Sequence, residues 1–479
     1  MTSAPPAGCR ARGSASRRGP GRLDRSALRT FARSRKPWFE KLLRTLVEVP
    51  SISADPDRRA DIRRCATLAA DALTDAGASV KMLRSAGANP LVVGSFFLSR
   101  SLPTITIYNH LDVQPADSAS EGWLTDPFLL TRRGSRYHGR GTTDDKGPAL
   151  TALMGIEAAR EAGVPVNFRI LWETEEEIGS PHLEQLLRRN MSRLATDWTI
   201  ISDTVWLSRR IPTITGGLRG VQAFRFTLET GGEDRHSGDV GGAARNPLAE
   251  LMEIASRIHD ARTGKVKVAG FHDGMVRADR RLIGEFRRSG FSLAAFRRTE
   301  KLRLMRSDDP VEVMRRIWAE PTFEVHGVAG GYAGPGLKAI VPGRAELKAS
   351  CRLVPGQDPA RIFRLVKSFV RKINPDVKVI DAGSALPVIS ETTGRGADAL
   401  REAITFGFGK RPAFVRDGGS IGAVVSLRKI LKAPVLFLGI SLPEDGYHAP
   451  NESFDWRQAE GGTAAFARCF EILSAKAPR

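Results

Sequence analysis

The sequence predicts an α/β protein with a mostly parallel β-sheet flanked by helices, interrupted by an inserted α+β domain. Up to about residue 214, short apolar runs alternate with amphipathic helical stretches, which is typical of a parallel sheet covered on both faces. The same alternation resumes after about residue 389. In the part between, residues such as 221–230 alternate between apolar and polar, as in half-buried strands, which favours one antiparallel sheet. The length, 479 residues, also exceeds that of one ordinary hydrophobic core, so two domains are expected.

In the first part of the chain, residues 37–214, helices and strands are predicted to alternate. Leu, Ala and Ile at three- and four-residue spacing predict helices, and runs rich in β-branched and aromatic residues predict strands. In such sheets, sites form beyond the carboxyl ends of the strands. The predicted helices are 38–49, 61–76, 147–162 and 181–189, and the predicted strands are 90–97, 104–108, 167–172 and 198–202.

The predicted inserted domain, residues 215–388, contains strands, two helices and a basic helical segment. Arginine doublets mark this segment at 280–281, 287–288 and 297–298, as expected for a solvated helix face. From residue 389 to the end, the α/β pattern returns. The elements predicted in the inserted domain are strands 221–230, 322–328, 345–353 and 377–381, and helices 248–259 and 361–372. The elements predicted after residue 389 are strand 434–439 and helices 397–406 and 461–474.

The chain has a formal net charge of +20, and part of it is concentrated at the N-terminus. Residues 1–36 hold ten Lys and Arg side chains against one acidic residue, Asp24, and show little apolar periodicity. We expect a disordered basic tail there, with a targeting or polyanion-binding arm as the alternative. Hydrophobic residues make up 41% of the whole chain, which excludes a wholly disordered protein.

Several features predict a protein of the cytoplasm. The sequence has no apolar run of the ~20 residues that a membrane-spanning helix needs, and no apolar stretch of the secretory type near its N-terminus. The four cysteines, Cys9, Cys65, Cys351 and Cys469, are scattered and form no CxxC pair. This spacing argues against a thiolate zinc site or a disulfide framework and fits a reducing compartment.

Acidic residues and histidines follow several predicted strands at the point where each strand ends. Single residues of this kind are common without any ligand, so no one motif specifies a site. Their combination is more specific, because like charges this close repel each other unless a cation neutralises them or protons are shared. Two histidines and at least three carboxylates are what two divalent cations require. The residues are His110 and Asp112 after 104–108, Asp144 and Asp145 in the glycine-containing segment 139–147, Glu173 and Glu175 to Glu177 after 167–172, Asp203 after 198–202, and His448 after 435–438.

The order of these motifs resembles the dinuclear zinc exopeptidase and deacylase family. That family includes carboxypeptidase G, acetylornithine deacetylase, succinyl-diaminopimelate desuccinylase, and the cytosolic and carnosine dipeptidases. The motifs are HLDVQP, GRGTTDDKGP, EEEIGS, ISD and GYHAPNE, and the resemblance runs from about residue 38 to the C-terminus. The segment WLTDPF at 123–128 also fits the dipeptidase-like branch. The resemblance implies a zinc exopeptidase-like catalytic domain, with residues 215–388 as a lid and dimerisation domain.

The resemblance also implies roles for the residues at the strand ends. Asp112 would orient the ligands of one metal, and Glu176 would be the general base. The glutamate run leaves a second register open, with Glu175 and Glu176 in the places of Glu176 and Glu177, although Gly179 and Ser180 match the spacing of the first. The peptide bond between Asp144 and Asp145 would be cis. The implied metal ligands are Asp144 shared by both ions, His110 and Asp203 for one ion, and Glu177 and His448 for the other.

In the predicted lid domain, the resemblance implies further residues of the site. His236 would reach the site of a second subunit in a homodimer and polarise the substrate carbonyl. Arg352 would bind the carboxylate of the substrate, together with a backbone-rich loop that includes Gly419 and Ser420. The remaining histidines match no motif, and we interpret them as structural: His138, His182, His259, His272 and His326.

The function implied is metal-dependent hydrolysis of an amide bond in a dipeptide or similar small carboxylate-bearing substrate. The metals would be two divalent ions, zinc above all, with manganese and cobalt as alternatives. An N-acyl amino acid deacylase with the same site is the alternative among hydrolases. A non-catalytic basic scaffold that binds a polyanion is the alternative from another class. Nucleic acid is not expected as a partner, because the sequence has no basic patch interleaved with aromatic residues.

Overall fold

The computed structural model describes residues 23–475, and up to residue 218 these form alternating helices and strands. The main core lies between the sheet and the longer helices of this part, together with helices from the end of the chain. The helices are α1 (Arg25–Val47), α2 (Arg59–Asp75), α3 (Gly147–Glu161) and α4 (Leu183–Arg189). The strands are β1 (Ser79–Leu83), β2 (Leu91–Phe96), β3 (Thr104–His110), β4 (Thr131–Arg133), β5 (Arg136–His138), β6 (Asn167–Glu173), β7 (Trp198–Ile201) and β8 (Thr213–Leu218).

The middle of the chain forms a second sheet and six helices within the described residues. Asn246 and Asp358 cap the two longer helices, and a proline follows each cap, as is typical of a helix start. The strands are β9 (Gly220–Glu229), β10 (Arg235–His236), β11 (Thr322–Ala329), β12 (Ile340–Val341), β13 (Arg344–Leu353), β14 (Lys378–Ala385) and β15 (Val388–Ile389). The helices are α5 (Ser237–Val240), α6 (Pro247–Ile258), α7 (Arg280–Arg288), α8 (Leu293–Thr299), α9 (Pro310–Trp318) and α10 (Pro359–Ile373).

The last part of the chain returns to the main core. It contributes α11 (Gly394–Phe408), β16 (Ala413–Asp417), α12 (Gly422–Leu431), β17 (Val435–Phe437), β18 (Ser453–Asp455) and α13 (Trp456–Ser474). The main sheet has the order β1-β2-β6-β3-β7-β17, in which β6, β3, β7 and β17 run parallel. Helices α1, α2, α3, α11 and α13 supply the core on one face, and α4 and α12 supply it on the other. The predicted mostly parallel, helix-covered sheet is therefore confirmed.

The predicted inserted α+β domain is also present, with a core of its own. Strands β11, β13, β9 and β14 form an antiparallel sheet in that order, and α6 and α10 pack against it. Strand β8 spans the predicted boundary at residue 214 and pairs with β15 and β16. This small sheet connects the inserted domain to the rest of the molecule.

The basic helices, α7 to α9, do not join the antiparallel sheet. Instead α7 and α9 pack on β16, where Phe286, Trp318 and Val415 form a small separate core. The rings of Phe286 and Trp318 meet edge to face, with centroids 5.1 Å apart. The apolar face of these helices therefore covers the edge of the connecting sheet, and the arginine doublets remain on the other face.

The N-terminal helix corrects the prediction of a disordered tail up to residue 36. The helix begins at Arg25, and Leu28 and Ala32 are buried in the main core where α1 packs against α13. The helix continues through Pro37, although an interior proline costs about 3 kcal/mol. Burial of the preceding turns offsets that cost, and it could not be anticipated from the composition alone. The rest of the predicted tail, residues 1–22, lies outside the described residues.

Two observations bear on the predicted cellular environment. Among residues 23–475, no helix combines the length and the apolar character needed to cross a bilayer. Cys65, Cys351 and Cys469 are buried as free thiols.

Candidate metal centre

The parallel strands bring the predicted site residues to one edge of the main sheet. His110 ends β3 and lies opposite Glu173, the last residue of β6, from which the glutamate run continues. Tyr108 lies opposite Ile201, the last residue of β7, so Asp203 follows just beyond the same edge. Because these strands are parallel, their carboxyl ends meet, as a site in such a sheet requires.

Two groups of side chains, joined by Asp144, bring their ligand atoms close together. In the first group, His110 Nε2 lies 2.9 Å from Asp144 Oδ1 and 3.8 Å from Asp203 Oδ2. In the second, His448 Nε2 lies 3.0 Å from Asp144 Oδ2 and 3.2 Å from Glu177 Oε2. Within each group, the ligand atoms lie within 4.8 Å of one another. Asp144 belongs to both groups through different oxygens, which is the arrangement of a carboxylate shared by two ions.

The chemistry of this cluster fits a pair of divalent cations. Burial, and then the charge of Asp144, raises the pKa of Asp203 to about 7. Burial also raises the pKa of Glu176 well above its usual value, and Asp203 and Glu177 add to that effect. Buried carboxylates in so small a volume ionise together only beside positive charge. Imidazole and carboxylate ligands of this kind suit zinc, manganese or cobalt.

Asp112 holds the turn that carries two of the predicted site residues. Its Oδ1 accepts a hydrogen bond from the main-chain N–H of Glu176 at 3.1 Å, and its Oδ2 accepts one from the N–H of Glu177 at 3.0 Å. The ring of His110 is oriented from the same segment, since its Nδ1 lies 3.0 Å from the main-chain oxygen of Asp112. With Nδ1 engaged there, Nε2 of His110 faces Asp144, which is the arrangement that orients a histidine ligand.

The contacts of Glu175 distinguish between the two registers of the glutamate run. Its carboxylate accepts a hydrogen bond from the N–H of Asn89 at 2.7 Å and lies 2.9 Å from Nδ1 of His182. Glu175 is therefore engaged away from the ligand groups, whereas Glu177 is a member of one of them. This geometry favours the register with Glu176 and Glu177 at the site.

The loop that carries Asp144 is held by Glu452, to which the sequence assigned no role. The two carboxylate oxygens of Glu452 accept main-chain hydrogen bonds from Gly141 at 2.9 Å, Thr143 at 2.9 Å and Asp144 at 3.1 Å. Arg140 pairs with the same carboxylate at 2.8 Å, and both side chains are buried. Gly141 has φ of 85°, and a Cβ there would lie 2.5 Å from Cγ1 of Val113, so the turn requires glycine. The Asp144–Asp145 peptide bond that follows is cis.

The structure brings together Arg352 and Ser420, which the resemblance places at the substrate carboxylate. Nη1 of Arg352 donates to Oγ of Ser420 at 3.1 Å. Arg219 lies in the same region, and burial, followed by the charge of Arg352, lowers its pKa to about 10. The N–H of Gly419 donates to Asp417 Oδ1 at 2.7 Å within the same loop. Within residues 23–475, Arg219 donates to main-chain oxygens and neither arginine forms an ion pair with a carboxylate, so the pair suits an anionic group.

His236 is not part of this assembly within one chain. Its side chain is 65% exposed on β10, and among the described residues its contacts are with Gly238 and Asp239. No hydrogen bond or ion pair joins it to the ligand groups of residues 23–475. The predicted contribution of His236 to the site of a second subunit therefore stays a prediction.

Sequence reasoning missed other residues of the site. Nε2 of Gln114 donates to Glu177 Oε2 at 2.6 Å, and the hydroxyl of Tyr447 lies 3.3 Å from Asp203 Oδ1. Gln114 and Tyr447 stand inside the motifs HLDVQP and GYHAPNE, so their places in those motifs were the available signal. Asp145, which the sequence singled out without giving it a role, is fully buried and accepts a hydrogen bond from Asn109 at 2.8 Å.

Comparison with known proteins identifies relatives over most of the chain. The model of peptidase family M20/M25/M40 matches residues 106–472. The human Beta-Ala-His dipeptidase is 30% identical over 461 residues, covering 92% of this chain and 89% of that protein. The Cys-Gly metallodipeptidase dug1 of Schizosaccharomyces pombe is 32% identical over 465 residues, covering 93% of this chain and 97% of that protein. The resemblance stated from the motifs is confirmed.

Solved structures show the same similarity. The crystal structure of human carnosine dipeptidase 1 matches with a TM-score of 0.84 and 28% identity, covering 94% of this chain and 98% of that chain. The M20 family metallo-carboxypeptidase Sso-CP2 from Sulfolobus solfataricus also matches with a TM-score of 0.84, at 26% identity, covering 91% of this chain and 99% of that chain. Both matches include the catalytic part and the inserted domain.

Proposed function

Because the chain belongs to peptidase family M20/M25/M40, we propose that it is a metal-dependent dipeptidase that hydrolyses the amide bond of short substrates with a free carboxylate. The observation that carries this proposal is the pair of ligand groups that share Asp144. The relatives named as dipeptidases support the choice of a dipeptide. When bound, the two metal ions would supply Lewis-acid activation of water and of the substrate carbonyl.

In this proposal Glu176 is the general base. Its neighbour Glu177 is a proposed metal ligand, and both stand on the turn held by Asp112. Burial, and then the charges of Asp203 and Glu177, raise the pKa of Glu176, and the effect of these charges places its carboxylate near both ligand groups. Glu176 accepts the proton of the attacking water and delivers it to the leaving amine nitrogen. The burial that raises its pKa suits a group that must both take and return a proton.

Arg352 and Ser420 would hold the free carboxylate of the substrate. Arg352 stands on β13 of the inserted domain, and Ser420 stands on the loop after β16 of the catalytic part. Their 3.1 Å contact crosses the boundary between these parts, so a substrate bound there would connect them. A site that binds the substrate carboxylate at a fixed distance from the metals would favour short substrates.

The role of residues 215–388 as lid and dimerisation domain belongs to the same proposal. In a homodimer, His236 from a second copy would donate a hydrogen bond to the carbonyl oxygen as negative charge develops there. The exposure of His236 on β10 leaves its ring free for such a contact. The buried free thiols support a reducing compartment, so we propose the cytoplasm as the location.

The proposal is tested by metal analysis together with a substrate screen. The full-length protein is assayed against a panel of dipeptides and N-acetyl amino acids, before and after treatment with chelator and after the return of zinc, manganese or cobalt. We expect two metal ions per chain and chelator-sensitive hydrolysis of dipeptides. Hydrolysis of N-acetyl amino acids alone would identify a deacylase. If the protein binds no metal, hydrolyses no substrate and binds a polyanion in a salt-dependent way, it is a basic scaffold.

Matched substitutions in the glutamate run test the assignment of the base. Glu176→Gln should lower kcat by about 10²- to 10⁴-fold while two metal ions remain bound. Glu175→Gln is the control, because its amide oxygen can still accept the hydrogen bond from Asn89, and activity should be retained. Full activity in Glu176→Gln would remove Glu176 from this role.

A further inference from the structure

A cavity of about 470 Å³ adjoins the metal centre on the side of the basic helices. Gly446, Tyr447 and Ala449 line it, and these residues flank the ligand His448. Val205, two residues after the ligand Asp203, lines it as well. One end of the cavity therefore lies beside both ligand groups.

The other end of the cavity reaches the loop that holds Ser420. Asp417 lines the cavity, and its carboxylate accepts the N–H of Gly419, next to Ser420. Phe296 and Ile317 line this cavity and also a neighbouring one of about 740 Å³ that contains Arg352 and Arg219. The cavity beside the metal centre thus occupies the interval between the metal ligands and the residues proposed to hold the carboxylate.

The wall contributed by the basic helices is mostly apolar and aromatic, with Ser292, Thr299 and Glu300 as its polar members. Phe291 lies between α7 and α8, with its ring centroid 5.5 Å from that of Phe296 and 5.7 Å from that of Trp318. Leu207 and Ile211 line the cavity from the catalytic part. Among the described residues that line it, none is a lysine, arginine or histidine, and Glu300 and Asp417 are acidic. An acidic side chain would therefore be repelled, whereas an apolar one would be desolvated among apolar neighbours.

We propose that this cavity receives the side chain of the C-terminal residue of the substrate, and that the enzyme prefers dipeptides in which this residue is large and apolar. The inference rests on the proposed function, and it follows from the order of groups along a dipeptide. With the scissile carbonyl at the metals and the carboxylate at Arg352 and Ser420, the C-terminal residue occupies the interval that the cavity borders. The helices α7 to α9 then act as a specificity element, since they supply the aromatic wall.

Filling the cavity from its rim tests this assignment without removing any core contact. Ala295 lines the cavity on α8, and Ala295→Trp would place an indole in it. Ala294, the preceding residue on the same helix, is exposed and lines none of the cavities described above, so Ala294→Trp is the matched control. Both variants are compared with wild type by circular dichroism and thermal unfolding to establish that they are folded.

The first measurement is kcat/KM of the zinc-loaded protein for Ala-Phe, Ala-Leu and Ala-Gly. We expect wild type to prefer Ala-Phe and Ala-Leu over Ala-Gly, and Ala295→Trp to reduce that preference at least about tenfold, which is the discrimination that a filled apolar pocket gives. Ala294→Trp should keep the wild-type ratio. An unchanged ratio in Ala295→Trp, or a wild-type preference for Ala-Gly, would overturn the proposal.

A second measurement separates this inference from the proposed function. Binding of free L-phenylalanine and glycine is measured by calorimetry, which needs no turnover. We expect L-phenylalanine to bind more tightly than glycine, and Ala295→Trp alone to remove the difference. If no dipeptide is hydrolysed but this binding pattern holds, the dipeptidase assignment fails and the cavity assignment stands. If dipeptides are hydrolysed but Ala295→Trp binds L-phenylalanine as wild type does, the cavity assignment fails alone.

Discussion

Replacing Asp112 with asparagine tests how the turn at Glu176 and Glu177 is held. The carboxylate of Asp112 accepts two main-chain hydrogen bonds, at 3.1 Å from Glu176 N and 3.0 Å from Glu177 N. An asparagine of the same shape keeps one oxygen as acceptor but turns an NH₂ group toward the other N–H. The 3.0 Å contact of His110 Nδ1 with the main-chain oxygen of residue 112 survives, whereas the same Nδ1 lies 3.6 Å from Asp112 Oδ1, so the change acts mainly on the turn.

The expected magnitude follows from the bond that is lost. A hydrogen bond to a charged group contributes about 1.5–3 kcal/mol, and each 1.4 kcal/mol corresponds to a factor of ten. The affinity of the Glu177 metal position should therefore fall about 10- to 150-fold in Asp112→Asn. Because the same turn carries Glu176, kcat at saturating zinc should fall as well. A purely structural role of Asp112 in folding would change neither quantity in the protein that remains folded.

The assay combines zinc competition against a coloured chelator with steady-state kinetics at saturating zinc. Asp117→Asn is the matched control, because the Asp117 carboxylate also accepts a main-chain N–H, that of Ala119, but is exposed and away from the ligand groups. The control should behave as wild type in both assays. Zinc affinity and kcat within about twofold of wild type in Asp112→Asn would refute the reasoning from the two hydrogen bonds.

Three further outcomes are expected. His236→Ala should lower kcat by about 10²- to 10³-fold with unchanged zinc content, and loss of zinc instead would show that the histidine is misplaced. Arg352→Met should raise KM for a dipeptide but not for its C-terminal amide, and an equal effect on both substrates would contradict carboxylate binding. Glu452→Ala should lower the free energy of unfolding by about 3–5 kcal/mol in denaturant titrations, because Arg140 is left buried without an acidic partner. Glu444→Ala, which removes an exposed pair with Arg209, should change it by no more than about 1 kcal/mol.

Local patterns predicted most of the main sheet because periodicity and chemistry agree there. Strand β3 consists of β-branched and aromatic residues up to Tyr108 and is polar from Asn109 onward, and the structure ends the strand at His110. The helix predicted over 361–372 is observed as α10, with Asp358 capping its start. In contrast, β1 escaped prediction, because as an edge strand it carries little of the apolar pattern of a buried strand.

The sequence left the choice between Glu175 and Glu177 open because the two carboxylates are chemically identical. Their difference lies in contacts with distant residues, namely His182 for Glu175 and His448 for Glu177. Helix α1 also depends on a distant contact, because its first turns have the composition of a disordered segment but are buried against α13. Neither contact has a local pattern in the sequence.

By itself, the sequence determined the kinds of ligand atoms, their order along the chain and their position at the ends of strands, since these depend on residue type and local periodicity. Only the tertiary structure decided that Glu452 secures the loop of Asp144 and that α7 to α9 pack on β16. It also decided that Phe291 and Tyr447 border one cavity. These arrangements depend on packing between segments far apart in the chain, and such packing is fixed by the complementary shapes of buried surfaces rather than by any short stretch of residues.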